Sequence, residues 1–406
     1  MDYPKLRGVN AFPTQIQGQR MICIQDPQGF SQRAVFLPPP LFFIVSLFDG
    51  KHSILDIQAE YMRKYGDLIY REKIEQIVEQ LDAQLLLDSD SFREILENEK
   101  RDFRLSNVRE AAFAGMSYDS DPIILRDKIE GYFSPPDGPG KPRRENPSGA
   151  LKGIIAPHID FQRGGPCYAF AHKEVREESN ADLFIILGTA HCEMKNYFSL
   201  TRKDFRTPLG TAETNKAFVE ALSKECNWDP FEDEFTHKRE HSIEFQLLFL
   251  QFLYPGKPVK IVPILCGSFH KAIERSISPR QIPPIGEFIE VLKKTVRSID
   301  RGVCLIASAD LAHIGLHFGD GDPASHMVSE TRARDLEMLA YAEKVDAEGF
   351  YHAIRKEGDR RRICGFPSIY VLLNIDGINQ GRLLKYVQSE NPETQSAVTF
   401  ASLAFY

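Results

Sequence analysis

The chain has 406 residues, 42% of them hydrophobic and 26% charged, with a net charge of −7 and an isoelectric point near 5.9. The length exceeds one ordinary core, so two domains are expected, and the composition is that of a soluble globular protein. The acidic balance argues against a nucleic-acid surface, no stretch reaches the ~18 apolar residues of a membrane span, and the opening MDYPKLRGVN lacks a signal-peptide pattern, which together predict a cytoplasmic protein.

Residues 1–100 are expected to form a small helical, winged-helix-like domain. After a polar opening, FLPPPLFFIVSLFDG carries three prolines into an apolar helix that stops at Asp49-Gly50. Ser53 and Asp56 have the spacing of a capping box, and Ile54, Ile57, Tyr61 and Met62 share one face of the helix they start. A further helix from about Arg71 carries Ile74, Ile77, Val78, Leu81 and Leu85, and LLLDSDSF follows as a short hairpin. The run FDGKHSILDIQAEYMRKYG with IEQIVEQLDAQLLLDS resembles PqqD-like domains, which implies recognition of a peptide. A DNA-binding winged helix and a domain that merely packs on its neighbour are the other readings, and EYMRKYGD is not basic enough to favour DNA.

Residues 89–105 are charge-dense and read as a helical connector, and the second domain is placed at 106–406. Within it the Pro- and Gly-rich Ser134–Gly149 stretch, with the basic cluster Lys141-Pro142-Arg143-Arg144, is expected to be an exposed loop. Seven scattered cysteines without a CxxC pair argue against a disulfide framework or a zinc–cysteine cluster; Cys192, next to His191, reads first as a plain buried thiol and second as the one cysteine placed to bear on chemistry.

Three apolar runs, GIIAPHID (Gly153–Asp160), LFIILGTAH (Leu183–His191) and CLIASADLAH (Cys304–His313), read as buried parallel strands that each end in a histidine-bearing turn. Ligands bind outside the carboxyl ends of such strands, so an α/β domain with a central, mostly parallel sheet and one shared site is expected. His158 and His191 are candidate metal ligands, with Asp310 or His313 as a third. Asp160 is a polar contact or a turn residue. The helix in THKREHSIEFQLLFLQFLYP would place His237, His241 and Glu244 on one face, with Glu244 orienting His241. HEXXH is absent, which disfavours a zinc hydrolase.

These residues resemble the Memo family, known in prokaryotes as AmmeMemoRadiSam system protein B. The resemblance is carried by Arg109–Tyr118, Ala156-Pro157-His158, Leu187–His191, Glu240–Glu244, Ser308–Gly315 and Ile363-Cys364-Gly365, in one order, with SAVTFASLAFY at the end. It implies a LigB-type fold, like that of class III extradiol dioxygenases, and a non-haem metal site with Fe(II) as the metal and copper or zinc as substitutes. His158 and His191 match the family's metal histidines and His241 a further pocket histidine. A cysteine is the implied third ligand, and the position matched to it here is Ala312.

Two functions of different class follow. One is an iron-dependent, dioxygenase-like oxidoreductase in which His158, His191 and Asp310 hold metal and His241, His313 and Glu244 serve catalysis on an unidentified small molecule or peptide. The other is a non-catalytic metal- or peptide-binding accessory protein of a radical-SAM-associated modification system. No nucleic-acid or membrane partner is expected.

Overall fold

The computed structural model describes residues 1–26, 28–31, 33–143, 148–299 and 302–406, and the chain divides into two compact units, Met1–Leu105 and Ser106–Tyr406. Arg144 of the basic loop lies outside the described residues.

The first unit opens with an antiparallel sheet of β1 (Asn10–Ile16), β2 (Gln19–Gln25) and β3 (Val35–Leu37). Gln17 and Gly18 both have positive φ, 51° and 79°, as a two-residue type I′ hairpin turn requires. This sheet lies in the stretch whose polar sequence shows no strand periodicity, because β1 has no buried residue. Four helices follow, α1 (Pro39–Ser46), α2 (Ile54–Tyr65), α3 (Arg71–Ala83) and α4 (Asp90–Leu105). The Ser53–Asp56 capping box is present. Ile44, Ile57, Ile74 and Leu81 meet Ile24 in one core. The hairpin expected at LLLDSDSF is absent: Leu87 makes an isolated bridge to Leu6, and the Ser89 hydroxyl accepts from the Phe92 amide at 3.2 Å, starting α4.

The second unit contains, in chain order, β4 (Val108–Arg109), α5 (Pro122–Tyr132), β5 (Gly153–Ala156), α6 (Phe161–Glu178), β6 (Leu183–Thr189), β7 (Phe198–Leu200), β8 (Asp204–Thr207), β9 (Gly210–Thr214), α7 (Lys216–Glu225), α8 (His241–Leu253), β10 (Lys260–Cys266), α9 (His270–Glu274), α10 (Pro283–Arg297), β11 (Val303–Ser308), β12 (Asp310–Gly315), α11 (Val328–Glu343), α12 (Ala347–Lys356), α13 (Phe366–Leu373), β13 (Gly381–Asn391) and β14 (Ser396–Phe405). The sheet order is β12-β14-β5-β11-β6-β10-β9-β8-β4. Its centre, β5-β11-β6-β10-β9, is parallel, and β12, β14 and β13 close one side antiparallel.

The apolar runs are continuous because both faces of the sheet are covered. On β6, Ile185 and Leu187 pack in the cluster with Ile289 of α10 and Ile369 of α13, whereas Phe184 and Ile186 pack with Leu247 and Leu250 of α8. Because β5, β11 and β6 are adjacent and parallel, their carboxyl ends lie side by side. Gly188 is needed there: a Cβ at that position would lie 2.7 Å from Ile243 Cγ1 and 2.8 Å from Ser242 Oγ. Its hydrogen lets the first turn of α8 pack against the end of β6.

Candidate metal centre

His158 follows β5 by two residues. Its amide donates to Asp310 Oδ1 at 2.9 Å, and its Nδ1 lies 3.0 Å from the Ser308 carbonyl oxygen. A carbonyl only accepts, so Nδ1 carries the proton and Nε2 is the nitrogen left for a ligand. The same carbonyl accepts from Thr189 Oγ1 at 3.1 Å, and Ser308 Oγ donates to the Ser242 carbonyl at 2.6 Å, tying the ends of β6, β11 and α8 together.

His191 follows β6, and His241 is the first residue of α8. One carboxylate serves both. Glu240 caps α8 through the Ser242 amide at 3.0 Å and accepts from the His191 amide at 3.0 Å. It accepts from His191 Nδ1 at 3.1 Å, and its charge lies 3.2 Å from His241 Nδ1. With the Nδ1 atoms of His158 and His191 hydrogen-bonded and that of His241 beside the carboxylate, the three Nε2 atoms remain for a shared ion. Ring centroids lie 4.9 Å apart for His158–His191, 5.4 Å for His158–His241 and 4.7 Å for His191–His241, and the three residues offer ligand atoms within 4.8 Å of one another.

Burial pushes His158 down to about 3, with the neighbouring His191 adding to the effect. His241 is also driven to about 3 by burial, which overrides the Glu240 charge. Burial acts the same way on His191, but there the Glu240 carboxylate outweighs it and the net shift is upward. Glu240 is held well below the ordinary range, since His191 and His241 outweigh the cost of burying it. Two imidazoles are thus neutral at physiological pH, the form that binds metal, beside a carboxylate able to neutralise part of an ion's charge.

A thiol and a second carboxylate border the centre. Cys364 Sγ lies 3.3 Å from His158 Nε2, with its proton affinity raised well above the usual thiol value by burial and then by Asp310. Asp310 Oδ2 lies 3.7 Å from His158 Nε2, and burial raises its pKa as well. Three nitrogen donors, two of them with anchored tautomers, a soft thiol and a carboxylate make a donor set suited to a transition metal.

The structure distributes the remaining sequence candidates differently. His237 does not share the α8 face: it lies in a preceding 3-10 segment, Glu234–Arg239, with Nε2 3.1 Å from the Ser199 carbonyl, because the Glu240 cap starts the helix after it. Glu244 does not reach His241. It is fully buried and bound to Arg109 and the Tyr118 hydroxyl, with the Ala112 and Phe113 amides at 3.0 and 3.1 Å. Glu240 does the orienting instead. His313 sits on β12, its Nδ1 3.1 Å from both the Leu311 and Arg362 carbonyls. Asp160 caps α6 through the Arg163 amide at 3.1 Å.

Ala312 is buried on β12, its amide bound to Thr399 Oγ1 at 2.9 Å; the thiol beside the histidines comes from Cys364. The sequence contained both missed residues within quoted motifs, Glu240 as the residue before the α8 histidine and Cys364 within Ile-Cys-Gly. Helical spacing pointed to Glu244 because the cap position was not recognised.

A family model described as Memo-like protein matches residues 109–404. Among curated relatives, a MEMO1 family protein of Aquifex aeolicus is 30% identical over 407 aligned positions, spanning 99% of this chain and 100% of the relative. One from Methanopyrus kandleri is 28% identical over 73% of this chain and 98% of its own length. A third, from Thermus thermophilus, is 24% identical over 86% of this chain and 98% of its own length.

Proposed function

The chain belongs to the Memo-like family, and on that premise we propose that its second unit is a metal-dependent oxidoreductase, with Fe(II) as the metal held by His158, His191 and His241. The observation that carries this reading is the convergence of three imidazoles, two with Nδ1 hydrogen-bonded to Ser308 or Glu240 and the third with Nδ1 beside the Glu240 carboxylate. Three protein ligands leave positions open for small molecules, the arrangement of catalytic rather than structural metals. When bound, the ion would supply redox chemistry toward O₂ and polarisation of a bound substrate oxygen.

The protein's own groups divide the remaining work. Glu240 fixes the tautomer of His191 and sets its charge beside His241 Nδ1, and Ser308 fixes the tautomer of His158. Asp310, its pKa raised by burial, stands with Oδ2 3.7 Å from His158 Nε2, placed to exchange a proton there. Cys364 is a fourth, softer donor next to His158. His191 is the exposed member of the triad and forms its open side.

The test is anaerobic Fe(II) reconstitution followed by oxygen-electrode measurement with a panel of small phenols, enols and amines. Substrate-dependent oxygen uptake that disappears in His241→Ala supports the proposal, and stoichiometric iron without oxygen uptake on any substrate contradicts it. That second outcome would favour a non-catalytic accessory role in a radical-SAM-associated system, a reading supported by exposed Leu55, Met62, Leu68 and Tyr70 on the first unit.

A further inference from the structure

A cavity of about 230 Å³ adjoins the triad at His191 and also has Cys364 in its wall. It is smaller than the about 300–1,000 Å³ clefts that hold drug-sized ligands, so its occupant is of the order of one ring. Phe269, Ile363 and Phe366 line its body. These are buried apolar side chains, and the two phenyl rings meet edge to face with centroids 5.7 Å apart.

The charged groups of the wall are His270, Asp359 and Arg362. Arg362 is already neutralised: its Nη2 lies 2.9 Å from Asp320 Oδ1 and its Nη1 3.2 Å from Oδ2, with a further bond of 3.1 Å to the His313 carbonyl. His270 faces Glu274 at 3.7 Å on its own helix. Asp359 differs. Its Oδ1 accepts from the Ile363 amide at 2.8 Å, and among the described residues no cation pairs with it. Burial raises this carboxyl to about 6, outweighing the Ile363 bond and the attraction of His270 and Arg361.

We propose that this cavity is the substrate site of the metal centre and takes a small organic amine, its protonated nitrogen on Asp359, its apolar body against Phe269 and Phe366, and its far end at His191 and Cys364. The inference rests on the proposed metal site for the position of the reacting end, but the amine selectivity derives from the cavity wall alone. A cationic group pairs directly with Asp359, a neutral group supplies only a hydrogen bond, and an anion is repelled.

Isothermal titration calorimetry at pH 7.5 on the full chain, iron-loaded and chelator-stripped, with benzylamine, benzyl alcohol and benzoate as probes of one shape, tests this. Benzylamine is expected to bind at least about tenfold more tightly than benzyl alcohol in both forms, with benzoate weakest in the stripped form. Asp359→Asn, which keeps the oxygen that accepts from Ile363, is expected to shrink the amine preference to about twofold or less, and Asp359→Glu to retain a preference. Folding of each variant is checked by thermal melt.

Equal or tighter binding of benzyl alcohol or benzoate to the stripped wild type, an undiminished preference in a folded Asp359→Asn, or no benzylamine binding to either form would overturn the proposal. Iron content measured on the same samples separates the two readings. Amine selectivity that depends on Asp359 in a protein that holds no iron would refute the metal site and leave the cavity assignment standing. Stoichiometric iron without selectivity would do the reverse.

Discussion

Replacing Glu240 with Gln keeps the side chain's size and one accepting oxygen but removes the charge and turns the other oxygen into a donor. In the native arrangement the carboxylate accepts from three groups, the Ser242 amide, the His191 amide and His191 Nδ1, and lies 3.2 Å from His241 Nδ1. The amide oxygen can retain the helix cap, but the new NH₂ then faces an imidazole N–H. That imidazole relieves the clash by moving its proton to Nε2, the nitrogen needed for metal. Loss of such an orienting partner lowers metal affinity by about 10- to 100-fold, or about 1.4–2.7 kcal/mol. Exchanging charged for neutral hydrogen bonds at a carboxylate that is 4% exposed should cost the metal-free protein about 2 kcal/mol. Competition against a chelator of known affinity measures the first effect, and urea denaturation of stripped protein the second. A folded Glu240→Gln protein that binds Fe(II) within twofold of wild type would refute the idea that this carboxylate prepares the histidines for metal.

Glu244→Gln should separate support from binding: breaking its buried pair with Arg109 is expected to destabilise the protein by about 3–5 kcal/mol in urea melts, while the fraction that folds still loads iron. Cys364→Ala should leave iron near one per chain, because the three histidines remain, yet weaken affinity by about tenfold; unchanged affinity in chelator competition would remove the thiol from the centre. Stripped protein should lose stability in acid. His158 and His241 titrate near 3 when folded and near 6.5 when unfolded, so the unfolded chain binds more protons between these values. Their contribution is complete above about pH 6.5 and declines as pH falls toward about 3. Urea midpoints at pH 7 and pH 5 that differ no more in wild type than in His158→Gln would contradict this. Gly188→Ala places a methyl 2.7 Å from Ile243 and should cost about 1–3 kcal/mol, read as a lower melting temperature.

The α/β architecture was legible because β5, β6 and β11 are buried on both faces and therefore continuous in apolar residues. Their parallel neighbours bring His158 and His191 together as expected. The third run misled: β11 stops at Ser308, and after Ala309 the chain continues as β12, paired antiparallel with β14. His313 therefore sits on a further strand with its Nδ1 at the Leu311 and Arg362 carbonyls, a tertiary pairing with no local signal. His241 was visible, but its role depended on where α8 begins, and the Glu240 cap fixes that boundary one residue before it. The N-terminal sheet was not legible, since the exposed β1 carries no buried face to alternate with a polar one.

Elemental analysis of oxygen-free protein after Fe(II) loading and desalting, with wild type beside His158→Ala, His191→Ala and His241→Ala, tests the triad most directly. Near one iron per wild-type chain, lost in all three folded variants, is the expected result. Iron retained in any folded single variant at the wild-type level, or none bound by the wild type, would contradict a metal held jointly by these three histidines.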